Sequence, residues 1–182
     1  MATLFTFSGG DVGDWKVESV APVTGESLAP CERIAITKGA PASALDSAWS
    51  LRGVVSSLRY TTKDELDELR TKGPNALGRP EATLAALIPI KKNAAWWALA
   101  QDERAAIINS GRHFALGIEY MPAVSRRLHH CHDLVGEPFD FLTLFEYSPD
   151  NASAFEEMVA RLRATPEWGF VEREVDIRMS RE

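Results

Sequence analysis

The chain has little cysteine. There are two in 182 residues, Cys31 and Cys131, and no CxxC pair. A disulfide framework is excluded, and a reducing compartment is expected. Basic residues are outnumbered, 20 Lys and Arg against 26 Asp and Glu, for a net charge of −6. Phosphate contacts need clustered Lys and Arg, so no nucleic-acid partner is expected, and an anionic membrane would repel the chain. An anionic substrate would need a local positive spot. No apolar run approaches the roughly 20 residues of a membrane helix. The opening MATLFTFSGGDVGDW lacks the basic and apolar regions of a secretory leader. A soluble, cytoplasmic protein is expected. HEXXH, GxSxG, P-loop and GxGxxG motifs are also missing. What remains is 45% hydrophobic and 25% charged, the composition of a protein with a real core. The length suits one domain, or two small ones in one body.

The chain reads as one pattern twice. FDFLTLFEY (139–147) alternates, placing Phe139, Phe141, Thr143, Phe145 and Tyr147 on one face of a strand. Ser148-Pro149-Asp150-Asn151 starts a helix, and Phe155, Met158, Val159 and Leu162 form its apolar stripe. Thr165-Pro166 ends it. FVEREVDIRM (170–179) alternates again, with Val171, Arg173, Val175, Ile177 and Met179 on one face. The first half matches in outline. WSLRGVVSSLRYT (49–61) reads as a strand whose Gly53 marks a bulge. Thr62-Lys63-Asp64-Glu65 fits a capping box before Leu66 and Leu69. TLAALIPIKK (83–92) reads as a strand or a buried extended segment, with Pro89 confining it to an edge or to its end. Two further strands, WKVESVAPV (15–23) and ERIAIT (32–37), lie upstream. Asn93 to Ile108 is Ala-rich and helical. The fold class is therefore α+β, two tandem ferredoxin-like units, divided at 1–98 and 99–182, whose sheets pair into a barrel.

All four histidines, His113, His129, His130 and His132, fall within residues 111–133. RRLHHCHDL alternates as a strand, with Arg126, Leu128, His130 and His132 on one face and Arg127, His129 and Cys131 on the other. Neighbours point apart, so this run cannot close around one tetrahedral zinc; strand histidines and a core cysteine are expected. His113 stands apart, after a helical segment (Gln101–Ile108) and a Ser-Gly break, before apolar Phe114, Ala115 and Leu116. It is either a satisfied core histidine or an axial haem ligand. The latter requires an acceptor behind its other nitrogen.

LIPIKKNAAWW (87–97), RHFALGIEYMPAVSRRL (112–128), GEPFDFLTLFEYSPD (136–150) and TPEWGFVEREVDIR (165–178) resemble, in order and spacing, the short homodimeric lineage of the chlorite dismutases. ALGRPEATLAALIPI (76–90) is similar too. The first 50 or so residues are less distinctive. The resemblance implies haem b, a homodimer with a dimeric α/β-barrel fold, and conversion of chlorite to chloride and dioxygen, for detoxification in an organism that does not respire perchlorate. It implies His113 as the proximal iron ligand and Glu167 as the acceptor of its N–H. Arg126 is implied as the distal catalytic arginine, and Leu128, Thr143 and Phe145 as distal-pocket walls. Lys92, Trp96 and Trp97 are implied as haem contacts, with Lys91 the rival of Lys92. Surface lysines and core tryptophans are the alternative for that segment. One departure is visible. Some short members carry a glutamine in the loop before ALGRP. Here it is TKGPNA (71–76), which leaves Asn75 or nothing in its place. Coproheme decarboxylases share the fold but resemble a longer lineage without arginine at position 126. Peroxidase-like relatives use a distal acid not found near Arg126. A non-catalytic haem-binding barrel is the rival from another class.

Overall fold

A computed structural model describes residues 3–40, 46–55, 63, 64, 67, 71 and 77–182. Eight strands form its frame: β1 (Thr3–Gly10), β2 (Trp15–Thr24), β3 (Arg33–Lys38), β4 (Ser47–Val55), β5 (Leu84–Lys92), β6 (Val124–His130), β7 (Phe141–Tyr147) and β8 (Val171–Ser180). They close an antiparallel barrel in the order β1-β3-β2-β8-β5-β7-β6-β4. Between β5 and β6 lie α1 (Ala94–Ala98), α2 (Gln101–Ser110) and α3 (His113–Glu119). After β7 come a 3-10 turn (Pro149–Asn151), α4 (Ala152–Arg163) and a second 3-10 turn (Pro166–Phe170). Lys63, Asp64, Asp67 and Thr71 are helical, as expected. Thr62, Glu65, Leu66, Leu69, residues 56–61 and Asn75 lie outside the described residues.

Alternation along the strands builds two cores. The inward set fills the barrel: Phe7, Trp15, Leu51, Leu87, Leu142, Leu144, Val175 and Ile177 are all buried in one cluster. Each such side chain stabilises the fold by about 1.5–3 kcal/mol. The outward set of β5, β6 and β7 meets helices. Ala86, Ile88, Ile90, Val124, Phe145 and Tyr147 pack against Leu116 of α3 and Phe155, Met158, Val159 and Leu162 of α4. A barrel with one helix-covered flank thus has a second apolar layer outside its wall.

Several expectations change. Pro89 does not mark an edge, since β5 lies between β7 and β8. The β5–β8 ladder skips Ile88 and Pro89, then resumes at Ile90↔Glu174 in the same register. Only a missing N–H is lost, and the pairing on either side carries the strand. Gly53 is not a bulge, because its pairing with Phe5 is in register and the β1–β4 shift comes at Gly9/Gly10. It is a close approach instead. A Cβ there would sit 2.6 Å from His129 Cβ and 3.1 Å from Cys131 Sγ. Gly53→Ala is therefore expected to destabilise the chain by about 1–3 kcal/mol in urea unfolding, with an unchanged slope. Phe139 precedes β7 and joins the barrel interior, not the outer face of Phe141. Val171 joins the outer layer, because a shift in the β5–β8 ladder at Lys91/Lys92 reverses its side relative to Val175. The N-terminal strand β1 went unread.

The histidines disperse. His129 lies inside the barrel, edge-on to Phe5 and Phe7 at 5.4 and 5.0 Å, with its Nδ1–H donated to the Leu142 carbonyl at 3.1 Å. Cys131 is buried in the same core, one residue past the end of β6. Burial pushes the His129 pKa down to about 4. The unfolded chain binds this proton near the ordinary 6.5 and the folded chain does not, so stability is lost as pH falls from about 6.5 to about 4. About 3 kcal/mol is at stake over that window. Thermal unfolding of wild type and His129→Gln between pH 7 and pH 4 is expected to show a smaller acid-side decline in the variant.

Candidate active site

The outer face of β6 and β7 carries the site. Arg126 pairs with Phe145 and Leu128 with Thr143, so all four side chains project to one side of the sheet. The sequence pattern paired them two by two, and the register joins the pairs. Phe145 is buried, Thr143 half-buried, and Leu128 is 37% exposed in mid-strand. Leu128 is thus open in mid-strand beside a helix-packed layer.

Helix α3 meets this face at Arg126. Arg112, in a left-handed conformation (φ 52°), turns the chain from α2 into α3 and places His113 at the first position of the helix. Gly117 is one turn on, on the same helix face. Its bare backbone lies against the Arg126 guanidinium, which a Cβ at that position would overlap. Arg126 therefore reaches from the sheet to the helix that carries His113.

Behind His113 stands a buried ion network. The Glu167 carboxylate, on the 3-10 turn before β8, accepts the His113 Nδ1–H at 2.6 Å through Oε2. Its Oε1 accepts from Lys92 Nζ at 2.9 Å. An ionised carboxylate only accepts, so Nδ1 carries the proton and Nε2 presents its lone pair. Burial opposes the charge on Glu167, but His113 and Lys92 outweigh it and hold its carboxyl down to about 2. Burial lowers the Lys92 pKa, partly offset by Glu167. Burial also pushes Arg126 down to about 10, against the attraction of Glu167, so its guanidinium stays cationic at neutral pH. Among the described residues no hydrogen-bond or ion-pair partner is seen for Arg126, whose guanidinium lies against Gly117.

The tryptophan segment behaves differently from a simple wall. Trp96 is buried edge-on to Phe170, under Lys92, and its Nε1–H lacks a partner among the described residues. Trp97 stacks on His132 at 3.5 Å and donates Nε1–H to Asp140 Oδ2 at 3.2 Å. Lys91 pairs with Glu172 at the surface, so the solvated lysine is Lys91 and the buried one Lys92. Sequence reading missed Gly117, Trp168 and Asp140. Trp168 lies 6.1 Å from the His113 ring and donates Nε1–H to buried Glu174 at 2.9 Å. The available signal for Asp140 was a lone carboxylate inside the apolar stretch PFDFL.

A family model described as chlorite dismutase matches residues 24–182. The chain belongs to the chlorite dismutase family. It is 52% identical to the dimeric chlorite dismutase of Nitrobacter winogradskyi, whose crystal structure superposes with a TM-score of 0.88 over 98% of this chain and 99% of that one. It is 31% identical over 123 residues to a chlorite dismutase of Ideonella dechloratans, covering 67% of this chain and 41% of that relative. The chain thus spans less than half the length of that relative. A variant chlorite dismutase of Candidatus Nitrospira defluvii, 19% identical, shares the fold with a TM-score of 0.65 over 99% of this chain and 91% of that one. Family membership agrees with the barrel and its helix-covered flank. Among the described residues no helix is long and apolar enough to cross a membrane.

Proposed function

We propose that this chain is a haem b-dependent chlorite dismutase, a homodimer in the cytoplasm, that converts chlorite to chloride and dioxygen. We further propose that residues 1–98 and 99–182 are two ferredoxin-like repeats contributing to one barrel. The observation that carries the functional reading is an imidazole fixed from behind by a buried carboxylate, on a helix face that the cationic Arg126 also reaches.

The residues fit haem b. His113 would hold the haem iron through Nε2, with its tautomer set by Glu167. Gly117, one turn away, carries no side chain, and the Arg126 guanidinium lies against it. Leu128 and Thr143 present open surface on the sheet side. The Trp96 Nε1–H, without a partner among the described residues, suits an anionic edge group of the ring. When bound, haem supplies a redox-active iron at which oxygen is transferred from chlorite.

The chain's own residues do the rest. Glu167 draws on the His113 Nδ1–H and makes the imidazole more electron-donating. Arg126 draws in a small anion that the acidic protein as a whole would repel. It also holds the chlorine–oxygen fragment until dioxygen forms, so atoms and charge balance as ClO2− → Cl− + O2. Phe145 and Leu128 exclude water and competing donors. Arg126 favours chlorite over coproheme decarboxylation, for which the resembling enzymes lack this cation.

An oxygen-electrode trace on haem-loaded protein tests the reading. About one dioxygen per chlorite is expected from the balanced equation. An intact ferric spectrum without oxygen release would refute it.

A further inference from the structure

Asp140 does not touch His113 or Arg126, yet Lys92, Trp97 and His132 all donate hydrogen bonds to its side chain. It sits between the end of β6 and the start of β7, and its side chain is buried, 8% exposed. Its Oδ2 accepts the Lys92 backbone N–H at 2.7 Å and the Trp97 Nε1–H at 3.2 Å. Its Oδ1 accepts the His132 Nδ1–H at 2.7 Å. Its backbone N–H goes to the Ile90 carbonyl at 2.9 Å, and its carbonyl takes the N–H groups of Cys131 and His132 at 2.8 and 3.2 Å. The last turn of β5 is thereby pinned to the β6–β7 connection at the residue whose ammonium reaches Glu167.

We propose that Asp140 is a positioning residue for the proximal site: it holds Lys92 so that its ammonium shares Glu167 with His113. The inference rests on the haem reading above. Its consequence has a definite sign. Lys92 Nζ, 2.9 Å from Oε1, offsets part of the Glu167 charge. The carboxylate therefore pulls on the His113 Nδ1–H less than an unpaired one would. Releasing Lys92 lets Glu167 pull harder, makes His113 more donating and favours ferric over ferrous iron. Simple loosening of the site would weaken the His113 hydrogen bond and move the balance the other way.

The experiment is redox titration of the haem-loaded protein, followed by its absorption spectrum. In Asp140→Ala the ferric-to-ferrous ratio at the wild-type midpoint is expected to rise about tenfold. That is a midpoint lowered by about 59 mV for a one-electron couple. Lys92→Met is expected to shift it in the same direction, and the double variant by no more than the larger single effect, since both act through one contact. Asp140→Asn keeps an acceptor for Lys92 and Trp97 and is expected to titrate like wild type. Should the alanine variant fail to fold, Asp140→Leu fills the same space without an acceptor and carries the same expectation. An unchanged or raised midpoint, additive effects of the two sites, or an asparagine variant that matches alanine would overturn the assignment. A wild type that takes up no haem overturns the functional reading and this inference with it. Normal wild-type titration beside an unshifted Asp140→Ala overturns the inference alone.

Discussion

His113→Ala is expected to weaken haem binding by more than about a hundredfold, beyond the 10–100-fold typical of losing an outer partner. Nothing else on α3 is free to replace it, since Glu119 pairs with Arg161 at 2.7 Å. Phe114, Ala115 and Leu116 are apolar, and Gly117 has no side chain. The other three histidines are committed elsewhere: His129 inside the barrel, His130 against Phe141, and His132 against Trp97 and Asp140. Haem titration followed by absorption spectroscopy checks this. A variant with the wild-type ferric spectrum and affinity would refute the ligand assignment. Glu167→Gln provides the internal control, because it leaves Nε2 in place and is expected to lose less.

Arg126→Ala is expected to keep haem and lose chemistry. Removing one preorganised charge partner of a reacting anion typically lowers turnover by about 10²–10³. The larger signature is in the products. Without the guanidinium the chlorine–oxygen fragment escapes, so oxygen yield per chlorite falls and trapped hypochlorite rises. Escaped hypochlorite then oxidises Met and Trp side chains, so the variant inactivates itself sooner. Arg126→Lys is expected to fall between, because it keeps the charge without the planar fork. Oxygen-electrode traces with and without a hypochlorite trap measure both quantities. Full oxygen yield with no trapped hypochlorite in Arg126→Ala would remove the arginine from the mechanism.

The strands were legible where alternation is strict and the burial two-sided. β7, β8 and the α4 stripe Phe155, Met158, Val159 and Leu162 came from periodicity alone, because a period-2 or period-3.6 pattern records which face meets the core. Errors arose where a residue's meaning depends on what lies across from it. Pro89 looks like an edge until β7 and β8 are seen pairing around it. Gly53 looks like a bulge until His129 and Cys131 are seen filling the space of its missing side chain. Phe139 and Val171 follow the alternation of their neighbours in sequence but not in space, since a strand's phase resets at its ends and at bulges.

The candidate site divides along the same line. Local sequence sets out the residue types available: one isolated histidine after a helix break, an arginine and a leucine on one strand face, a threonine and a phenylalanine on another, and a glutamate in a proline turn. It also determined membership of a family, through motifs held at matching separations. Their meeting in space is a property of the folded barrel. Glu167 and His113 are 54 positions apart, and Lys92 and Glu167 are 75 apart, yet each pair is within hydrogen-bond distance. Local periodicity says which way a side chain points from its own backbone. It does not say which distant backbone lies opposite, and that is set by barrel closure and strand register.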